Sequence, residues 1–254
     1  MPRLSSFTNQ LMINSSITRS AVKLLDYANT GNYVLPASFP SAYSFSSTQQ
    51  HYGIAQSIKV TSASSSSLLH FSGISSWASW PVTIEFWEYS TWSGYYFCPL
   101  GVQNPSTTKS VGTLLADSSL SSNNFLWSFG NELGFSPSLS PTGYPLNQWN
   151  HVAYVIYSST SNTTSADSIQ YYLNGVQHIS ATGLASANQP TGTTQLTIGG
   201  FYDVGSGGFG AGYSGYISEI RISNNRRYTT AFTPPSSAFT IDSNTIGLVK
   251  YSPT

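Results

Sequence analysis

The sequence predicts an all-β protein, a two-sheet antiparallel β-sandwich, on three observations. Charged residues make up 7% of the 254, against about 25% in ordinary soluble domains, so the Lys, Glu and Arg that clothe exposed helix faces are nearly absent. Aromatic and β-branched clusters recur along the chain, separated by Ser, Gly, Pro and Asn. These clusters give about a dozen strands at regular spacing without a helical period, the pattern of packed antiparallel sheets.

Residues 1–20 are polar with scattered Leu11, Met12, Ile13 and Ile17 and read as an N-terminal arm preceding one sandwich domain over 21–254. Residues 21–27 (AVKLLDY) are the first strand. Residues 28–56 read as a long connection with short strands, and 57–61 and 67–71 as strands on either side of a serine tract. Pro81-Val-Thr-Ile-Glu-Phe-Trp-Glu-Tyr89 is the strongest strand. Its alternate faces, Val82/Ile84/Phe86/Glu88 and Thr83/Glu85/Trp87/Tyr89, are both bulky, which places it centrally with cover on both sides. Residues 95–102, 111–116 and 124–136 give three more strands, and 148–157 another long one. Residues 169–179 form a hairpin, because Asn174-Gly175 supplies the positive φ angles of a type I′ turn between alternating flanks. Strands at 195–199, 215–223 and 245–251 complete the set, with the glycine-rich stretch 202–214 as a flexible or close-approach loop. The first and last strands have matching short patterns and are expected to pair.

Composition excludes several function classes. Nine Lys and Arg balance nine Asp and Glu, so there is no counterion-release drive toward nucleic acid and no polybasic membrane patch. No apolar run is long enough for a membrane helix, and the N-terminus lacks the apolar core of a secretory signal. The single Cys98 excludes an internal disulfide and a cysteine zinc site. Synthesis in a reducing cytoplasm is expected.

Four segments, in order, resemble the concanavalin A-like, laminin G-type jelly roll in the version common in phage and large-virus structural proteins. Val-Thr-Ile-Glu-Phe-Trp (82–87) resembles that family's F-T-I-E-F-W strand, and Gln-Trp-Asn-His-Val-Ala (148–153) its W-H-H-V-A strand. Tyr-Tyr-Leu-Asn-Gly-Val (171–176) resembles its L-Y-V-D-G-V hairpin. Gly-Tyr-Ile-Ser-Glu-Ile-Arg-Ile-Ser (215–223), with Arg227-Tyr228 and Phe-Thr-Pro-Pro (232–235), resembles its closing block, with Ser218 where the family has Asp. The resemblance implies two packed antiparallel sheets and roles in sugar binding, adhesion or structure. It also implies that Arg227 and Tyr228 tie the last strands to the Phe-Thr-Pro-Pro turn.

Related glucanases place two carboxylates across a sugar bond on one strand face. Here Glu85 and Glu88 are three apart and so point to opposite faces, with Glu85 expected beside aromatics and Glu88 near a rim. No nucleophile elbow is present. Trp149 and His151 share a face and read as packed core residues, Cys98 as a small buried hydrophobe, and Glu219 and Arg221 as a pair on one strand face. No cofactor is expected; calcium would need clustered oxygens, for which Asp203 beside the glycine loop is the one weak candidate. The remaining signal is aromatic: 6 Trp, 17 Tyr and 13 Phe exceed what one core needs. Trp77, Trp80, Trp92, Tyr95, Tyr144, Tyr202 and Tyr213 fall in loops or at strand ends and are the candidate ligand-binding rings. The expected function is a non-enzymatic structural protein of a virion surface (capsid decoration, fibre or tail tip), synthesised in the cytoplasm. Its partners would be other virion proteins or copies of itself, with a neutral polysaccharide as a further ligand. A free or cell-attached lectin is the alternative, and a glycoside hydrolase a remote one.

Overall fold

The computed structural model describes residues 23–26, 41–61, 69–74, 80–91, 96–103, 110–116, 125–129, 132–136, 144–161, 166–184, 194–200, 202–203, 208–209 and 212–252. The proposed arm, 1–20, lies outside them. In chain order the strands are β1 (Lys23–Asp26), β2 (Tyr43–Ser46), β3 (Ser57–Val60), β4 (Leu69–Ile74), β5 (Val82–Ser90), β6 (Tyr96–Phe97), β7 (Leu100–Gln103), β8 (Ser110–Ala116) and β9 (Phe125–Phe129). There follow β10 (Glu132–Ser136), β11 (Trp149–Tyr157), β12 (Ser168–Leu173), β13 (Val176–Ala181), β14 (Thr194–Ile198), β15 (Tyr202–Asp203), β16 (Gly208–Phe209), β17 (Gly215–Ser223) and β18 (Thr245–Ser252). The described residues contain no helix.

One sheet runs β1-β18-β17-β5-β11-β12-β13, with β2 and β3 joined to the first half of β17; the other runs β10-β9-β8-β7-β14-β4, with β6 on β8. All pairings are antiparallel. The fold is therefore an all-β sandwich. Strand β5 is central, between β17 and β11, because both its faces are apolar enough to be covered. The expected pairing of first and last strands occurs as β1 against β18, with Leu24 opposite Tyr251. Two stretches read as single strands are each two elements: 95–102 breaks at Cys98-Pro99, since proline lacks the ladder N–H, and 124–136 folds into the β9–β10 hairpin. Within the glycine-rich stretch 202–214, β15 pairs with β16.

The core lies between the sheets. Val82, Ile84 and Phe86 of β5, Val152, Tyr154 and Ile156 of β11, and Ile220 and Ile222 of β17 meet Leu100, Val102, Leu196, Ile198 and Leu69 of the facing sheet. Alternation then puts Thr83, Glu85, Trp87 and Tyr89 on the outer face of the larger sheet. That outer face is crossed by the connection 224–244 between the neighbouring strands β17 and β18, a strap closed at its base by Asn224 N–H donating to the Asn244 carbonyl at 2.9 Å. Arg227 forks onto both oxygens of Asp242, at 2.8 Å each. The Tyr228 and Phe232 rings stack at 3.5 Å and 7°. The far end of the strap docks on the β12–β13 turn, where Phe232 N–H donates to the Gly175 carbonyl at 2.9 Å. Asn174 and Gly175 have φ of 50° and 79°, the left-handed pair a type I′ turn requires.

Candidate functional site

The outer face carries a closed charge cluster. Glu85, fully buried, has its Oε1 2.8 Å from Arg221 and its Oε2 3.1 Å from His151 Nε2 and 2.7 Å from the Tyr228 hydroxyl. Arg227 adds a guanidinium at 3.5 Å. Burial by itself would raise the carboxyl's pKa; His151, Arg221 and Tyr228 together hold it below the ordinary carboxylate value. An ionised carboxylate only accepts hydrogen bonds, so the His151 proton facing it sits on Nε2. Arg221 therefore pairs with Glu85 and not, as its strand face suggested, with Glu219. Glu219 shares this outer face, but its Oε2 accepts the Phe239 backbone N–H at 2.6 Å beneath the strap. Burial raises its pKa.

Glu88 points the other way, into the sandwich, and is 0% exposed; the rim position expected for it is corrected. The bulge in β17 between Ile217 and Ile220 lies across from it. Glu88 Oε1 accepts from the Tyr144 hydroxyl and from Asn150 Nδ2 at 3.0 Å, and Oε2 from the Tyr213 hydroxyl at 3.0 Å. These donors are all neutral. Burial outweighs their hydrogen bonds and pushes the carboxyl up to about 7. Asn150 continues the network to the hairpin: Asn174 Nδ2 donates to its Oδ1 at 3.0 Å, and Asn174 Oδ1 accepts the His151 N–H at 2.8 Å.

The outer face beyond the strap is built differently. Strand register sets one residue from each of five strands in a row: Ser44 opposite Lys59, Lys59 opposite Tyr216, Tyr216 opposite Tyr89, and Tyr89 opposite Trp149. Tyr89 meets Trp149 edge-on at 5.8 Å and Tyr216 at 5.9 Å. Tyr89 and Trp149 are half-buried, so each keeps part of its ring in water. A second tier comes from the turn after β2. His51 lies 4.0 Å from Trp87 and 4.9 Å from Trp149. Tyr52, held at φ 45°, is 42% exposed, with its ring 5.4 Å from Trp87. A tyrosine in the left-handed region costs on the order of 1 kcal/mol, which the surrounding ring contacts offset.

This row differs from the rings the sequence singled out. Trp80 and Tyr213 are 3% and 0% exposed, and Tyr144 turns inward onto Glu88; none of the three offers a face to a ligand. They flank apolar strand ends, and the core takes them. Trp77, Trp92 and Tyr95 lie outside the described residues. Tyr202 and Asp203 form β15; their side chains are not among those described. Cys98 is buried. No group of three or more metal-ligating side chains occurs among the described residues. Sequence reading placed Trp149 in the core and left Tyr52, Tyr89, Tyr216 and Lys59 unassigned. Tyr89 was on one of the two alternate faces read for β5, but its neighbours in the row come from strands distant in sequence.

A family model described as concanavalin A-like lectin/glucanases superfamily matches residues 59–230. Among solved structures, the enzymatically active domain of tailspike protein 2 of bacteriophage CBA120 superposes with a TM-score of 0.56 at 13% identity, covering 89% of this chain and 35% of that one. Domain 4 of the extracellular arabinanase AbnA of Geobacillus stearothermophilus, in complex with arabinotriose, gives 0.51 at 14% identity, covering 85% and 96%. The chain thus spans about a third of the tailspike and nearly all of the arabinanase domain. No curated protein matches in sequence.

Proposed function

This chain belongs to the concanavalin A-like lectin/glucanases superfamily, and from that premise we propose that it is a non-enzymatic glycan-binding module of a virion surface, holding saccharide on its outer-face ring row. The carrying observation is the row itself: the half-buried rings of Tyr89 and Trp149 in register on neighbouring strands, with Tyr216, 9% exposed, packed edge-on against Tyr89 and Tyr52 projecting beside them. Aromatic side chains combine an apolar face with a polar tip and suit a wet contact with sugar. The arabinanase domain that shares this fold was crystallised with arabinotriose, and the tailspike that shares it belongs to a phage. The first agrees with glycan binding and the second with a virion setting, although that tailspike domain is itself enzymatically active.

The described glutamates on β5 and β17 support binding over hydrolysis. Glu85 and Glu88 face opposite sides of β5. Glu85 and Glu219 share a side but are both 0% exposed under the strap, where no sugar bond can lie between them.

The test is a glycan array probed with the full chain. We expect binding that Tyr89→Ala weakens about tenfold, the effect of losing one stacked ring, while the variant still unfolds cooperatively at a melting temperature lowered only by the lost ring contacts. A blank across all polysaccharides would overturn the proposal, and sugar release from a bound oligosaccharide would restore the hydrolase.

A further inference from the structure

We infer that the saccharide taken by this row is anionic, its carboxylate paired with Lys59. The inference rests on the glycan-binding reading above and names the ligand's chemistry. Lys59 lies between Ile58 and Val60, both in the core, so its own side chain stands on the outer face. It sits directly across from Tyr216, at the end of the ring row. Strands are about 4.8 Å apart, so the row from Lys59 to Trp149 runs about 14 Å, enough for a short oligosaccharide.

Charge on this protein is scarce, and nearly all of what is described is spent internally. Arg221 is bound to Glu85, and Arg227 to Asp242. Arg226 lies 3.8 Å over the Tyr157 ring and donates to Gln170. Lys250 donates to the Phe239 carbonyl. The Lys59 side chain makes no hydrogen bond or ion pair among the described residues. Of the described outer-face carboxylates, Glu85 is already paired with Arg221 and Glu219 accepts the Phe239 N–H beneath the strap. The result is an ammonium that no described carboxylate compensates, beside a stacking surface and complementary to a sugar ring that carries a carboxylate. A neutral polysaccharide would leave that charge unused.

The experiment measures binding of the full chain to uronate and sialate oligosaccharides, each beside its own methyl ester, by calorimetry. The ester keeps the ring and removes the charge. At least one acid form should bind about fivefold tighter than its ester, the scale of one exposed ion pair, and the difference should shrink in about 0.5 M salt as the pair is screened. Lys59→Gln should lower the acid form to the level of its ester, and Lys59→Arg should keep the preference. Acid and ester binding alike, or a preference that survives Lys59→Gln, overturns the assignment of Lys59 and leaves glycan binding standing. If no saccharide of either kind binds and Tyr89→Ala changes nothing, the glycan reading itself falls, and this inference with it.

Discussion

Glu85 and Glu88 sit three residues apart on one strand and are driven in opposite directions. Glu85 has two guanidiniums, an imidazole and a phenol around it, and its pKa falls. Glu88 has two phenols and an amide, no cation, and its pKa rises to about 7. The rise fixes a sign. Below about pH 4.5 Glu88 is protonated in both folded and unfolded chains, and its stabilising share is fully present. As pH climbs toward 7 the unfolded chain has released the proton while the folded one still holds it, so stability declines, by on the order of 3 kcal/mol in all. His51 works against this in the same window. Burial holds its imidazole down to about 4, so stability drops as pH falls from 6.5 toward 4. Denaturant unfolding of the native chain and of Glu88→Gln, measured from pH 4 to 8, separates them. The difference between the two curves should slope through this window and flatten above pH 7; parallel curves would contradict the burial of a carboxyl held only by neutral donors. The three-residue spacing disclosed the opposite faces of these two acids. It could not disclose their surroundings, because Tyr144, Tyr213 and Arg221 reach them from distant parts of the chain.

At the scale of elements, the alternating strands and the Asn174-Gly175 hairpin were legible because each writes its signal in adjacent residues. Of the strap, only the family resemblance spoke, expecting Arg227 and Tyr228 to tie the last strands to the Phe-Thr-Pro-Pro turn; the two features that fasten it, the Arg227–Asp242 fork and the Phe232–Gly175 hydrogen bond, were not legible, because they join it to itself and to a turn fifty-seven positions upstream. A Cβ on Gly175 would lie 1.8 Å from the Phe232 carbonyl oxygen, so the turn and the strap occupy one another's space. We expect Gly175→Ala to destabilise by about 2–4 kcal/mol, combining strain at positive φ with displacement of backbone. Gly53→Ala is the comparison: its φ is 75° but nothing lies within 4 Å of the added carbon, so only the conformational cost of about 1 kcal/mol remains. Equal melting points for the two variants would show that the strap is not seated on the turn.

For the whole molecule, the sandwich followed from composition and spacing, and the binding surface did not. A row across five strands is a property of register, and register is set by pairings such as β3 with β17 that join residues more than 150 positions apart. If residues 1–20 are an assembly arm, a chain beginning at residue 21 should unfold at the native temperature yet fail to join particles, as read by co-sedimentation; full incorporation would assign assembly to the sandwich instead. The docking of the strap on Gly175 has a practical consequence as well. Hairpin tips are the customary places to graft a foreign peptide, since they tolerate added length. Here an insertion between Asn174 and Gly175 would lift Phe232 and, through Tyr228, uncover Glu85 and its cations. A loop that looks permissive from outside is the latch of the interior.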